Sequence, residues 1–358
     1  MRGLLAVVTL ALAACAGNEE QPPMWATLDG NPPLIIAHRG ASGYRPEHTL
    51  EAYALAIDMG ADIVEPDLVF SKDGVLIARH DRYLSTTTDV ADRPEFSGRK
   101  RANDDPADTP RDDWWVEDFT LAELKTLRAR QPFPGRSKDF DGLFEIPTFG
   151  EMLALVALKA KAAGRPVGVY PETKHPGFYL SKGYDFEAPL LKALEDFGAG
   201  PVFIQSFEPE MLKRLKGKTD AKLVQLVHEA SPGAGPNIPL NEIATYADGV
   251  GADKKLAMDA KGIRSSIIVD SHALGLSIHL WTIRDDAPNE GVAYAIAAGN
   301  APAIGEPDGI EAVDEQLSAN PVAVELFSFF GEGADAVFTD FPDTAVTLRT
   351  NLERLHMR

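Results

Sequence analysis

The feature that most constrains this chain is the order of its short apolar runs. Runs beginning near Leu34, Ile63, Val167, Val202, Leu223, Asp248, Ser277 and Ala336 alternate with stretches of helical periodicity. Eight strands separated by helices predict a closed (β/α)8 or TIM barrel, an α/β fold whose reactive residues sit at the C-terminal strand ends. The competing open, doubly wound sheet would carry Gly-x-Gly-x-x-Gly after its first strand. Here Leu34 to Ala37 runs instead into His38-Arg39-Gly40.

Local signals fill in the frame. Leu50, Tyr53, Ala54 and Ile57 recur at helical spacing from Thr49, and Gly60 suits the position just past the helix end. The strand Ile63 to Val69 turns at Ser71-Lys72-Asp73-Gly74 and returns as Val75 to His80, too tightly for a crossover, so a hairpin is expected. Thr120 with Glu123 and Thr148 with Glu151 form capping boxes, predicting helices to Ala129 and to about Ala163. Helices are also expected over Leu240 to Tyr246, Ile263 to Leu274 and Asn289 to Ala298. A large polar insertion, Arg82 to Asp118, follows the second strand, and a smaller one, about Gly299 to Asn320, precedes the last.

The N-terminus reads as processing rather than fold. Met1-Arg2-Gly3 and the apolar run LLAVVTLALAAC have the length of a signal peptide, and Leu12-Ala13-Ala14-Cys15 resembles the lipobox of bacterial lipoproteins. Cys15 is the only cysteine, so no internal disulfide forms and the lone thiol sits where an acyl anchor is expected. Residues 16–33 then read as a tether to a barrel domain over 34–358. The net charge of −19 argues against nucleic acid as a partner, and an anionic substrate would need a local cation.

Polar residues cluster at the ends of the first strands. The period of two puts Glu65 and Asp67 on one face, and Glu172 ends the third strand at the same mouth. Three converging carboxylates would repel one another without a cation, and an all-oxygen set suits a hard ion, Ca²⁺ or Mg²⁺. His38 and His80 beside them suit proton transfer. Arg39 and Lys174 are candidate phosphate contacts, and Phe207 and Trp281 candidate pocket walls.

His38-Arg39-Gly40-Ala41-Ser42-Gly43, Pro46-Glu47-His48-Thr49, Glu65-x-Asp67, Lys72-Asp73-Gly74 and His80-Asp81 resemble the glycerophosphodiester phosphodiesterase family. Thr88 to Arg93, Asp118 to Leu121, Tyr170-Pro171-Glu172 and Phe338 to Asp343 resemble its periplasmic subfamily. The resemblance implies hydrolysis of glycerophosphodiesters to sn-glycerol 3-phosphate and an alcohol with a divalent ion, usually calcium. By position, it implies His38 and His80 as the acid/base pair, Glu65, Asp67 and Glu172 as metal ligands, Arg39 as a phosphate contact and Glu47 as support. The family's common Asn in Pro-Glu-Asn-Thr is His48 here, as in the periplasmic branch. Periplasmic location at the outer membrane, through the lipid anchor, is the expectation. A phospholipase C-type phosphodiesterase and a non-catalytic surface-binding lipoprotein are the competing readings.

Overall fold

The computed structural model describes residues 24–259, 262–288, 316–317 and 320–356. The signal peptide, Cys15 and the helix expected over Asn289 to Ala298 lie outside them, as does most of the second insertion. Strand β1 is Leu34–His38. The second run is split into β2, Ile63–Glu65, and β3, Asp67–Phe70, and β4, Leu76–Ala78, returns antiparallel to β3 as the expected hairpin. In the first insertion β5, Arg101–Ala102, and β6, Asp112–Asp113, form a short ribbon. The third run is split as well, into β7, Gly168–Val169, and β8, Glu172–Thr173.

Each split falls at a proline, Pro66 or Pro171, which has no N–H to offer the strand on one side. The carbonyls still serve the other side: Glu172 N donates to Pro66 O at 2.9 Å, and Gln205 N to Pro171 O at 3.0 Å. Phe203–Ser206 (β9), Lys222–Val227 (β10), Gly249–Asp253 (β11), Ser277–Ile283 (β12) and Ala336–Thr339 (β13) complete the set. All their pairings are parallel, and β13 pairs with β1. Since β1 pairs with β2, β2 with β7, β3 with β8 and β8 with β9, the two split strands link both ends of the ladder and an eight-membered barrel closes.

Ile36, Ile63, Tyr170, Val224, Ala336 and Phe338 fill the barrel interior. A larger apolar layer lies between the strands and the surrounding helices. Fully burying one aliphatic or aromatic side chain contributes about 1.5–3 kcal/mol, so the layer is the main favourable term. Both capping boxes form, with Thr120 and Thr148 accepting from the backbone of Glu123 and Glu151. The second opens the helix Phe149–Ala163, which Gly164 ends in the left-handed conformation.

Several expectations need correction. The helix from Thr120 stops at Leu124, because Arg128 N turns to Asp89 Oδ1 and Ala129 N to Phe144 O, both at 2.8 Å. Helices Leu240–Ile243 and Ile267–Ala273 are shorter than expected, whereas the strand expected from Asp248 to Val250 runs on to Asp253. Helices Pro176–Ser181 and Lys254–Ala257 were not anticipated.

The first insertion has its own interior. The Arg82 side chain is fully buried, 2.5 Å from Glu117 and 3.5 Å from Asp105, with its guanidinium 3.5 Å from the Phe178 ring centroid. The described part of the expected tether is likewise packed chain. Trp25 is 6 % exposed and meets Phe330 edge to face, Leu28 N donates to Asp335 Oδ1, and Pro33 O accepts from Arg349. One buried indole outweighs the polar composition that suggested free chain.

Candidate functional site

Strand register assembles the site. His38 lies beside Glu65, Asp67 beside Glu172, and Glu172 beside Gln205, so four adjacent strands present polar side chains at one mouth. His38, Arg39, Glu65, His80, Glu172, Lys174, Phe207 and Trp281 line a single cleft of about 140 Å³. Asp67 and Glu47 stand directly behind it. Arg39 bonds Glu47 Oε2 at 3.0 Å and lies 3.3 Å from Asp67 Oδ2.

Oxygens of Glu65, Asp67 and Glu172 fall within 4.8 Å of one another, and all three residues are buried. Glu65 accepts from Arg39 N at 2.8 Å and from the Gln205 side-chain amide at 3.2 Å. The turn that aims Arg39 N at Glu65 is left-handed, with Arg39 at φ 59°. Lys174 Nζ is 2.9 Å from Glu172 and 3.8 Å from Asp67, partly offsetting their charge.

The electrostatics record the crowding. Burial, then Asp67 and Glu172, raise Glu65 well above the ordinary carboxyl range. Burial, opposed by Lys174 and aided by Asp67, takes Glu172 up to about 8. Burial pushes Asp67 up as well, yet Lys174, His80, His48 and Arg39 together outweigh it and hold Asp67 ionised. Among the described residues, Asp67 Oδ1 and Gln205 Oε1 are buried oxygens without a hydrogen-bond partner. An excess of buried negative charge, orphaned oxygens and an all-oxygen donor set fit a hard divalent cation.

Both histidines are held by an acid. His38 Nδ1 is 2.6 Å from Asp340 Oδ1, and His80 Nδ1 is 2.6 Å from Asp81 Oδ1. Asp340 follows β13 directly, and its other oxygen accepts from Arg136 at 2.6 Å and Arg284 at 2.9 Å. These guanidiniums only donate, so Asp340 stays ionised, His38 Nδ1 carries the hydrogen, and Nε2 is left for the cleft. Burial, with Arg39 adding to it, lowers His38 to about 4 against the pull of Asp340. Burial, Arg39 and Lys174 also lower His80, but 32 % of its side chain faces solvent, which screens them.

The aromatic walls meet edge to face, Phe207 and Trp281 having centroids 5.8 Å apart, and the Trp281 indole is fixed by Gly251 O at 2.9 Å. Sequence reasoning missed six contributors: Gln205, Asp340, Asp81, Arg136, Arg284 and the contact of His48 with Asp67. The first two follow or end strands, the signal used for His38 and Glu172. Arg136 comes from the chain beyond the first insertion, where nothing marks it. A larger cavity, about 830 Å³, opens at the other end of the barrel, near Leu28, Leu34 and Asp335. Its volume is not matched by chemistry: Arg349 pairs with Asp62 at 2.5 Å and Lys222 with Asp248 at 3.3 Å.

The profile of the Glycerophosphoryl diester phosphodiesterase family matches residues 38–344. The glycerophosphodiester phosphodiesterase of Haemophilus influenzae is 31 % identical, over 96 % of this chain and 97 % of that protein. One from Arabidopsis thaliana is 32 % identical, over 79 % and 84 %. Among solved structures, an Oleispira antarctica phosphodiesterase in complex with the product sn-glycerol-3-phosphate superposes with a TM-score of 0.57 at 20 % identity, covering 90 % of this chain and 98 % of that one. The Agrobacterium tumefaciens glycerophosphodiester phosphodiesterase does so with a TM-score of 0.50 at 21 % identity, covering 87 % and 98 %. Those two likenesses concern the fold. With the family profile spanning most of the chain and a relative above 30 % identity matched nearly end to end, the chain belongs to the glycerophosphoryl diester phosphodiesterase family and is an enzyme of that class.

Proposed function

We propose that the enzyme hydrolyses deacylated phospholipids such as glycerophosphocholine and glycerophosphoethanolamine, with a divalent cation, foremost Ca²⁺ and alternatively Mg²⁺, and with His38 and His80 as the acid/base pair. The observation that carries this reading is the buried Glu65, Asp67 and Glu172 cluster flanked by two acid-anchored histidines in one cleft. The sn-glycerol-3-phosphate named in the Oleispira structure supports the product assignment.

Glu65, Asp67 and Glu172 would hold the ion. When bound it lowers the pKa of a hydroxyl or water and neutralises charge developing on phosphate. Arg39 and Lys174 orient the phosphodiester oxygens, both lining the cleft. One histidine takes the proton of the attacking oxygen through Nε2 while the other gives a proton to the departing alcohol. Asp340 and Asp81 accept from Nδ1 of each ring, so Nε2 of each is left for the reaction, bare on the histidine that acts as base and protonated on the one that, as imidazolium, acts as acid. Phe207 and Trp281 exclude water from one side. We further propose that the protein works in the periplasm, held by an acyl group on Cys15.

The test is release of sn-glycerol 3-phosphate from glycerophosphocholine by the purified enzyme. Activity lost in chelator and restored by Ca²⁺ is expected, and full activity in chelator would refute the ion's role. An intact phospholipid assayed in parallel separates this reading from the phospholipase alternative.

A further inference from the structure

His48 sits in the left-handed region at φ 56° and is 3 % exposed. Its N–H donates to Arg39 O at 3.0 Å, so the two left-handed residues of this loop are tied together. The next residue, Thr49, caps the helix Leu50–Asp58, whose inward face presents the fully buried Tyr53. Left-handed backbone costs a non-glycine residue free energy, which is tolerated where the surroundings enforce it at functional sites.

The ring bonds at both nitrogens. His48 Nε2 is 2.9 Å from Asp67 Oδ2, and Nδ1 is 2.7 Å from the Tyr53 hydroxyl. An ionised carboxylate only accepts, so Nε2 carries the hydrogen. Nδ1 of the neutral ring then accepts, and the Tyr53 O–H donates. A directed chain results, from Tyr53 through His48 to Asp67. It occupies Asp67 Oδ2 and leaves Oδ1, the buried oxygen without a hydrogen-bond partner, turned toward the cluster where Lys174 lies 3.8 Å away.

We propose that His48, oriented by Tyr53, is a positioning residue that fixes the Asp67 carboxylate so that Oδ1 is presented to a divalent cation. The inference rests on reading Glu65, Asp67 and Glu172 as the ion site. His48 supplies a strong donor without adding a permanent positive charge beside the ion, which an arginine or lysine there would do.

The experiment is calorimetric titration of the purified chain with Ca²⁺ alone, with thermal unfolding of the ion-free protein alongside. His48→Ala should raise the Ca²⁺ dissociation constant roughly ten- to a hundredfold. His48→Asn, which keeps a donor and tolerates the left-handed backbone, should restore most of the affinity. Tyr53→Phe should weaken binding about fivefold through its single lost hydrogen bond. In the His48→Asn background the same change should do nothing, because Tyr53 acts only through the imidazole. A merely structural role would lower the melting temperature and leave the dissociation constant alone. The proposal is overturned if His48→Ala and Tyr53→Phe bind Ca²⁺ like the wild type, or if His48→Asn binds no better than His48→Ala. If the wild-type chain binds neither Ca²⁺ nor Mg²⁺, the ion-site reading fails first, and visibly, before any variant is compared.

Discussion

Replacing Asp340 with asparagine changes one atom's chemistry and should disable the site. In the wild type, Oδ1 faces His38 Nδ1 at 2.6 Å, while Oδ2 accepts from Arg136 at 2.6 Å and Arg284 at 2.9 Å. The amide of Asp340→Asn has one acceptor oxygen and one donor NH₂. Two donor-only guanidiniums demand the oxygen, so the NH₂ must face His38. Nδ1 then has to accept, the ring hydrogen moves to Nε2, and the lone pair that should face substrate is gone. Losing general acid/base catalysis at one position costs roughly 10²–10⁴ in rate. The stability cost is smaller, roughly 2 kcal/mol for weakened bonds to charged partners, since Arg136 keeps Asp286 at 2.7 Å. Release of sn-glycerol 3-phosphate, followed well below the melting temperature, should therefore fall at least a hundredfold in a protein that is still folded and still binds Ca²⁺. More than a tenth of the wild-type rate in a folded Asp340→Asn enzyme would refute the tautomer argument, and with it the assignment of His38 Nε2.

Other outcomes follow from the same geometry. Trp25→Ala removes a buried indole at the barrel base and should cost about 3–5 kcal/mol in urea unfolding, with kcat and KM unchanged. Lys174→Gln should lower kcat/KM at least about tenfold by removing a phosphate contact. It should also enlarge the thermal shift produced by Ca²⁺, because Glu172 and Asp67 lose their nearby cation in the ion-free state. His279, buried against the Tyr170 hydroxyl at 2.8 Å, is lowered by burial from 6.5 to about 4. The unfolded chain binds the proton first as pH falls, so this contribution is whole above 6.5 and is lost on going down to 4, about 3 kcal/mol in all. The stability gap between wild type and His279→Gln should shrink by that amount between neutral pH and pH 4, and a constant gap would contradict it.

The barrel was legible because eight apolar runs and two capping boxes are local signals, and each formed where expected. The halving of the second and third strands was also written locally, in Pro66 and Pro171, but its value is not local. A strand that changes neighbours at a proline lets Glu65 face His38 while Asp67 faces Glu172. Eight of the nine residues expected to surround the substrate and ion line one cleft, with Asp67 behind it, because strand register, unlike side-chain packing, propagates from backbone pairing. What escaped reading depended on long-range contact. Arg136 meets Asp340 across 204 positions, and Trp25 meets Phe330 from within a polar stretch. The helix after Thr120 ended early because Asp89 and Phe144, far along the chain, captured its backbone.

The docking of residues 24–33 at the strand starts fixes where the polypeptide reaches the barrel. Leu28 is held by Asp335 just before β13 begins, and Trp25 by the helix Pro321–Glu332 that leads into it, so the polypeptide enters from the pole opposite the cleft. An acyl group on Cys15 would thus moor the barrel by its underside, with the opening turned toward bulk water. Such an enzyme would fish in solution for small, already deacylated diesters and leave the bilayer to which it is tied untouched.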